Sequence, residues 1–268
     1  MDKNSGLLES DCILLIQGVS AWAGAKCILR EVDVALGRGE VACLLGPNGG
    51  GKTTLMRLIA GLAAPPVYMQ GAIRIKSHPA SSWGAPNIGF AVPPEWLALE
   101  LTGRAALQLA RTALGLKNID NALEYAECVG LSNMLDEPIS SYSFGTQQKI
   151  AMALAFMPSV SLFVLDESLN GLDVASTDAT VEYLRSRVSR DKAAALLVTH
   201  RLEIAQKISD TIWTLTDGQI KVSRACSQVD SMPVGGLEVN TNGEKEVKLH
   251  THDALSSGVK NALVSKLC

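Results

Sequence analysis

Between a short apolar run and a helical pattern, the chain reads Gly46-Pro47-Asn48-Gly49-Gly50-Gly51-Lys52-Thr53-Thr54. The apolar run, residues 41–45, predicts a buried strand, and the spacing of apolar residues over 55–59 is typical of a helix. The glycine-rich segment therefore connects a strand to a helix. This is the context that a phosphate-binding loop requires.

The residue types in this loop suit a triphosphate. Glycines, which lack Cβ, can turn their N–H groups into a concave nest around phosphate oxygens, and the following helix adds its N–H groups and positive dipole end. Lys52 is predicted to reach the β- and γ-phosphates, and the Thr53 hydroxyl to ligate Mg²⁺. A glycine turn with a chance Lys-Thr is the alternative, and the flanking pattern argues against it. The segment predicts binding of a nucleoside triphosphate.

Composition limits the class of protein. With 268 residues, 47% hydrophobic and 19% charged, the chain can form one α/β domain with an appendage. A net charge of −3 argues against a nucleic-acid partner. Six cysteines lack metal-ligand spacing and are expected to be reduced thiols. A polar N-terminus unlike a signal peptide, and no apolar stretch of 18 residues, predict a cytosolic chain without a membrane span.

Two further apolar runs end in residues that carry chemistry. Residues 162–165 precede Asp166 and Glu167, and the carboxyl end of a buried parallel strand faces the ligand crevice of an open α/β sheet. Asp166 is predicted to hold Mg²⁺ through water and Glu167 to polarise the attacking water, with a helix-capping Asp-Glu pair as the alternative. Residues 193–198 precede His200, which could contact a γ-phosphate, although a lone histidine is usually structural.

The remaining segments supply the framework. Trp22, in the first strand, could stack on adenine or be a partly buried strand-end residue. Ser143 and Gly145 form a turn at a helix start that could bind an anion or simply cap the helix. The other predicted strands are 12–22, 27–36, 72–75, 88–92 and a hairpin within 211–222, and the helices are 53–62, 101–116, 120–129 and 150–157.

The helical block interrupts the α/β pattern, which predicts a lateral subdomain over about 96–158. After residue 222 the composition changes, with Ser, Asp, Gly and Pro marking a linker. An Asn-Gly hairpin signal within 237–250 and a short helix ending near 267 are predicted in this C-terminal appendage, 223–268. Its role is either regulatory or dimer-forming, with a partly disordered extension as the alternative.

Taken in order, these segments resemble the nucleotide-binding domain of ATP-binding cassette (ABC) transporters over residues 12–222. The resemblance implies an α/β P-loop NTPase fold with a mixed central sheet, an N-terminal antiparallel β subdomain and the lateral helical subdomain. It makes 46–54 the Walker A loop that binds ATP, with all nine residues as contacts, and 162–166 the Walker B strand with Thr53 and Asp166 on Mg²⁺. Further site residues implied by the resemblance are the catalytic pair Glu167 and His200, Asp173 in the Asn170–Asp173 D-loop, and Trp22 as the aromatic A-loop residue.

Two motifs depart from the family pattern. The signature, usually Leu-Ser-Gly-Gly-Gln, is Tyr142-Ser143-Phe144-Gly145-Thr146. Pro93 stands where the Q-loop glutamine is expected and offers no side-chain oxygen, and Glu95 is close enough to substitute. A milder change is Ser168, in place of the proline that commonly follows the catalytic glutamate. These changes favour slow turnover over loss of nucleotide binding.

The family mechanism implies that two such domains, as a homodimer or heterodimer, sandwich two ATP molecules. Ser143 and Gly145 of one subunit would complete the site of the other, and a separate integral membrane subunit would use the opening that follows hydrolysis. The compact chain with a degenerate signature looks most like exporter-type cassettes, including those of cytochrome c maturation, bound peripherally to the cytoplasmic side of a membrane. The alternatives are a non-transport ABC ATPase and an ATP-gated binding module with little hydrolysis.

Overall fold

The computed structural model describes residues 12–76, 78–79 and 88–224. Its first sheet has four strands in the order β2-β1-β4-β5, all antiparallel to their neighbours. Their bounds are Cys12–Ala23 (β1), Lys26–Gly37 (β2), Val67–Ile75 (β4) and His78–Pro79 (β5). The predicted N-terminal antiparallel β subdomain is therefore present.

A second sheet of six strands forms the centre of the domain. Its strands are Val41–Leu45 (β3), Ile88–Phe90 (β6), Leu162–Asp166 (β7), Ala194–Val198 (β8), Thr211–Thr216 (β9) and Gln219–Arg224 (β10). They lie in the order β10-β9-β3-β8-β7-β6, and every pair is parallel except β9 with β10. The sheet is thus mixed, with β10 antiparallel at one edge, and its last two strands form the predicted hairpin.

Both faces of this sheet are covered, which explains why β3, β7 and β8 read as continuous apolar runs. In β7, Leu162 and Val164 belong to one core, which includes the N-terminal sheet, whereas Phe163 and Leu165 belong to a second core on the helical side. Because side chains alternate along a strand, four consecutive apolar residues serve two cores.

In the described part of the chain, six α-helices surround the sheets. They are Lys52–Ile59 (α1), Gly103–Ala113 (α2), Asp120–Cys128 (α3), Phe144–Phe156 (α4), Val174–Asp191 (α5) and Leu202–Ile208 (α6), with 3₁₀ turns at Pro94–Trp96, Ser132–Met134 and Ile139–Ser141. The lateral helical subdomain is built from α2, α3 and α4. It is joined to α5 by buried contacts, such as the 2.9 Å hydrogen bond between the hydroxyls of Tyr125 and Thr180.

Several boundaries differ from the predicted ones. Helix α4 begins at Phe144, six residues before the predicted start, because Ser143 caps it: its Oγ accepts a hydrogen bond from the Thr146 N–H at 3.2 Å. Strand β4 begins at Val67, five residues early, because it pairs with β1 along its full length. Strand β6 ends at Phe90, two residues before the predicted end at 92, and α1 ends at Ile59, three residues before the predicted end at 62. The hairpin and helix predicted within 223–268 lie outside the described residues.

Candidate functional site

The candidate site lies where three neighbouring parallel strands end together. In the register of the sheet, Val198 of β8 is opposite Leu44 of β3 on one side and Asp166 of β7 on the other. The loop that follows β3, the carboxylates at the end of β7 and the residues after β8 therefore meet at one edge. This is the edge at which open α/β sheets bind ligands.

The glycine loop, residues 46–51, adopts backbone conformations that side chains disfavour. Gly46, Gly49 and Gly51 have φ angles of 155°, 71° and 104°. A Cβ on Gly46 would lie 2.5 Å from the carbonyl oxygen of Leu215, and one on Gly51 would lie 2.5 Å from the side chain of Ile28. Glycine is thus required at both positions by close packing as well as by conformation. Pro47, Asn48 and Gly49 are exposed, and Gly50 donates a 3.1 Å hydrogen bond to the Pro47 carbonyl.

Lys52 is held inside the loop. It begins α1 and is only 6% exposed, and its Nζ donates 2.9 Å hydrogen bonds to the carbonyls of both Gly46 and Pro47. An ammonium has three N–H donors, so Lys52 can also bind a phosphate oxygen while it keeps both carbonyls. The N-cap residue of the helix is Gly51, which offers no side-chain cap, and the first turn has no acidic residue. The N–H groups at the start of the helix can therefore bind an anion, as expected for a loop that binds a triphosphate.

Asp166 and Thr53 are in contact at the start of this helix. The Thr53 hydroxyl hydrogen-bonds the Asp166 carboxylate, whose pKa is raised above its ordinary value chiefly by burial, with this hydrogen bond acting in the opposite direction. Within the described chain, Asp166 Oδ1 is buried and has no hydrogen-bond partner. A buried carboxylate oxygen without a partner beside a threonine hydroxyl suits a divalent cation with oxygen ligands. The pair predicted for Mg²⁺ is therefore adjacent and chemically fit for it.

Glu167 and His200 form the second polar pair of the site. Glu167 Oε1 lies 2.7 Å from His200 Nε2, and the other carboxylate oxygen, Oε2, accepts a 3.2 Å hydrogen bond from the Asn170 side chain. The backbone of Glu167 has φ 51°, in the left-handed region, and its N–H donates to the Val198 carbonyl at 3.2 Å. Both side chains of the pair are about two-fifths exposed. The geometry brings together the two residues predicted to position water.

Trp22 lies in the hairpin that packs against the glycine loop. In the pairing of β1 with β2, Trp22 is opposite Cys27 and Ala21 is opposite Leu29, so a shift in register leaves Ile28 without a strand partner. Ile28 is the residue whose side chain packs on Gly51. The Trp22 ring stacks on Tyr68 of β4, with centroids 5.2 Å apart and 10° between the planes. The structure therefore places Trp22 in the hairpin beside the loop and stacks it on an aromatic residue of the neighbouring strand β4.

Ser143 and Gly145 stand at the N-terminus of α4. Ser143 is exposed, and its Oγ also lies 2.8 Å from the Thr146 hydroxyl. A Cβ on Gly145 would lie 2.6 Å from the carbonyl oxygen of Gly171, so this turn packs against the D-loop of its own chain. The capping role weighed from the sequence is confirmed, and it leaves the Ser143 side chain at the surface.

Asp173 is a helix cap. Its carboxylate accepts hydrogen bonds from the Ser176 N–H at 2.7 Å and from the Ser176 hydroxyl at 2.8 Å, at the start of α5. These bonds, and the ammonium of Lys149 at 3.7 Å, lower the pKa of Asp173. Asp173 is exposed, and its assignment to nucleotide binding stays a prediction.

The segment after β6 contains the departure at Pro93. Pro93 precedes the 3₁₀ turn Pro94–Trp96, in which Glu95 is exposed. The neighbouring Ala91 N–H donates to the Val164 carbonyl in β7 at 3.2 Å, which fixes this segment beside the strand that ends in Asp166. Whether Glu95 replaces the missing glutamine stays a prediction.

Three residues beside the site were absent from the predicted set. Asn170 was visible within the D-loop but carried no signal of its contact with Glu167. Tyr68 and Leu215 are brought in by strands β4 and β9, which are distant in sequence. Only the sheet pairing could have revealed them.

Comparison with known proteins gives a consistent family. The family model described as ABC transporter matches residues 29–170. The zinc import ATP-binding protein ZnuC of Pseudomonas entomophila is 27% identical over 258 residues, covering 96% of this chain and 95% of its own. The uncharacterised ABC transporter ATP-binding protein YdbJ of Bacillus subtilis is 31% identical over 222 residues, or 81% of this chain and 71% of its own.

Solved structures of ABC transporter ATP-binding domains have a fold similar to that of this chain. One described as the ATP binding subunit of an ABC transporter superposes with a TM-score of 0.72 at 27% identity, over 79% of this chain and 90% of that one. A nucleotide-free ATP-binding cassette, 20% identical, superposes with a TM-score of 0.67 over 80% of this chain and 91% of its own, and supports the fold alone. Together with the family model, these similarities decide the classification. This chain is a member of the ABC transporter family of ATP-binding domains.

Proposed function

We propose that this chain binds ATP with Mg²⁺ and hydrolyses it, as the ATP-binding subunit of a transporter whose membrane path belongs to a separate polypeptide. The observation that carries the proposal is the cluster at the sheet edge. Asp166 ends β7 and Glu167 follows it, whereas Thr53 and His200 come after β3 and β8 respectively. The Asp166–Thr53 pair and the Glu167–His200 pair thus lie at the shared edge of these three parallel strands, together with the buried Lys52. This arrangement contains residues that can bind phosphate, and a carboxylate–imidazole pair that can position water.

The phosphates would be held by the loop. Backbone N–H groups of the glycine loop and of the first turn of α1 would contact phosphate oxygens, and Lys52 would neutralise charge between the terminal phosphates. Its side chain is already fixed by two carbonyls, so little side-chain freedom would be lost on binding. Trp22 would stack on the adenine ring with the indole face that Tyr68 leaves uncovered.

The cation would be held by Thr53 and Asp166. The buried, unpartnered Oδ1 of Asp166 supports this assignment, since such an oxygen gains most from a positive ligand. Mg²⁺, when bound, supplies neutralisation of the charge that develops on the transferred phosphoryl group. Glu167 and His200 would orient the attacking water, with Asn170 fixing one oxygen of the carboxylate.

A second subunit would complete each site. The exposed Ser143 and the adjoining helix N-terminus form an anion-binding surface on the outside of the domain. Such a surface would contact a nucleotide bound to another copy or to a related chain, as in the mechanism implied by the family. We propose a homodimer or heterodimer on the cytoplasmic side of a membrane, without nucleic acid. No helix in the described part of the chain is long and apolar enough to cross a bilayer.

The direction of transport is a separate question. The compact chain and degenerate signature were interpreted as exporter-like, but the relatives reported above give that interpretation no support, since ZnuC is named for zinc import. Another relative, the sulfate/thiosulfate import ATP-binding protein CysA 2 of Chromobacterium violaceum, is 31% identical over 87% of this chain and 63% of its own. On these similarities we favour import over export, and the cargo is left open.

A second candidate function is an ATP-gated binding module with little hydrolysis. Pro93 in place of an oxygen-bearing side chain favours it, because proline cannot offer an oxygen to Mg²⁺ or to the attacking water and leaves the phosphate loop intact. Non-transport ABC ATPases are a further class. Chromosome-maintenance members need a long coiled coil, for which the roughly fifty residues between 93 and 143 leave no room.

The test is the ATPase rate of the purified chain, with and without membranes from cells that co-express candidate transmembrane subunits. Membrane-stimulated hydrolysis is expected; an absence of hydrolysis under both conditions would favour the binding module. The Glu167→Gln variant should retain ATP binding and lose roughly 100-fold or more in kcat, since general base catalysis is worth about 10²–10⁴. Glu203→Gln, at an exposed glutamate of α6, is the matched control and should behave as wild type. Unchanged turnover in Glu167→Gln would reject the role assigned to that carboxylate.

A further inference from the structure

Phe144 occupies an unusual position on the surface. It is the first residue of α4, directly after the cap Ser143, and it is 58% exposed. One part of the ring is nevertheless closely packed, since a Cβ on Gly171 would lie 2.6 Å from both Cδ1 and Cε1 of Phe144. The ring therefore sits on the turn at Gly171, which has a φ of 81°.

The same turn is held from a second side by the start of α4. A Cβ on Gly145 would lie 2.6 Å from the Gly171 carbonyl oxygen. Gly145 and Phe144 thus enclose Gly171, and the absence of a side chain at both glycines is what permits the approach. The start of α4 and the Gly171 turn are fitted to one another within a single chain.

The Gly171 turn is joined to the Glu167 carboxylate. Asn170 donates a backbone hydrogen bond to the Glu167 carbonyl at 3.0 Å, and its side chain donates to Glu167 Oε2 at 3.2 Å. Glu167 itself has a left-handed backbone, which is unfavourable for a non-glycine residue and persists only when neighbouring structure enforces it. The residues that enforce it include this turn.

We propose that Phe144 is a positioning residue: through Gly171 and Asn170 it holds the Glu167 carboxylate of its own chain in register with His200. This rests on the proposed function and adds a role within the chain to the start of α4. Ser143 and Gly145 would act on the nucleotide of the second subunit, whereas Phe144 acts on Glu167 of the first. The substitution of phenylalanine for the usual small residue of the signature then has a structural use.

The first test needs no nucleotide. Hydrogen exchange of backbone amides in residues 168–173 is compared among wild type, Phe144→Ala, Phe144→Tyr and Val174→Ala. Val174 is the matched control, since it is also the first residue of a helix and is 70% exposed. We expect exchange to rise by roughly threefold or more in Phe144→Ala alone, since the turn loses its packing. Equal exchange in Phe144→Ala and wild type would overturn the proposal.

The second test separates an effect within the chain from one across the dimer. Full-length chains with two different tags are co-expressed, and the mixed dimers are purified, with Glu167→Gln silencing one of the two sites. When Phe144→Ala lies in the chain that keeps Glu167, kcat should fall roughly 10-fold with KM unchanged, because the carboxylate is displaced. When Phe144→Ala and Glu167→Gln lie in the same chain, the site that keeps Glu167 belongs to the other chain. Its rate should equal that of a mixed dimer that carries Glu167→Gln alone.

The opposite pattern, with loss only when both changes lie in one chain, would assign Phe144 to the second subunit's nucleotide and refute the inference. Phe144→Tyr should restore both rate and slow exchange, which a general loss of folding would not allow. An inactive wild-type dimer would count against the proposed hydrolysis, and the amide exchange would still decide the role of Phe144.

Discussion

Replacement of Asp166 by asparagine separates stability from function. In the nucleotide-free protein Asp166 Oδ1 is buried without a partner in the described chain, and burial raises the pKa of the carboxyl. A buried charge of this kind destabilises the fold, so Asp166→Asn should make the nucleotide-free protein more stable. It should also remove the cation contact, so the same change should weaken Mg²⁺-dependent nucleotide binding.

The size of each effect can be worked out. An unsatisfied buried polar group costs about 1–3 kcal/mol, and a neutral amide that keeps the contact with Thr53 should recover roughly 1 kcal/mol of it. In a domain of this size, 1 kcal/mol moves Tm by about 2–4 °C. Nucleotide at about 100 times its Kd stabilises by about 2.7 kcal/mol, or roughly 5–10 °C, and the Mg²⁺-dependent part of this shift should be lost.

The assay is thermal unfolding, followed by circular dichroism, of both proteins with EDTA, with ATP and EDTA, and with ATP and Mg²⁺. Wild type should show an additional rise in Tm with Mg²⁺, and Asp166→Asn should begin higher and show none. Asp178→Asn, at a half-exposed aspartate of α5 that pairs with Lys207 at the surface, is the control. A lower Tm for nucleotide-free Asp166→Asn, or an unchanged response to Mg²⁺, would refute the reasoning.

The other predictions concern a buried arginine, a buried thiol and the stacking of Trp22 on adenine. Arg187 is fully buried, donates to the carbonyls of Phe156 and Pro158, and forms a 2.8 Å ion pair with the largely buried Asp191. Because Arg187→Ala removes one partner of a buried pair, it should lower the free energy of unfolding by about 3–5 kcal/mol in urea titration; a loss below 1 kcal/mol would contradict this. Burial raises the pKa of Cys43 to about 12, so a thiol reagent at pH 8 should label exposed Cys128 but not Cys43 until urea is added. Trp22→Ala should weaken ATP binding roughly 5- to 150-fold in equilibrium titration, if stacking is worth about 1–3 kcal/mol; unchanged affinity would exclude stacking.

The sequence predicts those parts of the site whose chemistry is local. The glycine loop follows directly from residues 46–54, and the carboxylates follow directly from the apolar strand before them. The order of strands then brings Glu167 to His200, because the carboxyl ends of β7 and β8 must lie at one edge. For this pair, a rule of topology and two short sequence patterns were sufficient.

Strand β4 shows why other parts were not predictable. Its first half follows Pro65-Pro66 and ends in Gln70 and Gly71, and a glycine inside a segment weakens the prediction of a strand. It forms a strand because eight of its nine residues pair with β1. Gly71, at the shift in register, is needed where a Cβ would lie 2.4 Å from the Gly18 carbonyl oxygen. Pairing between distant segments overrides local propensity here. The stacking of Tyr68 on Trp22 depends on the same pairing.

Glycines of the site carry information that the motif alone does not give. Gly46, Gly51 and Gly171 are closely approached by Leu215, Ile28 and Phe144 respectively, each from another part of the chain. A loop that needed glycine only for backbone freedom would be flexible, but these three positions are packed from outside by the sheets and by α4. The phosphate loop and the Glu167 turn are therefore shaped by the fold itself. It follows that a mutation at one of the packing residues, which touches no nucleotide, can alter ATP turnover through the glycine against which it lies.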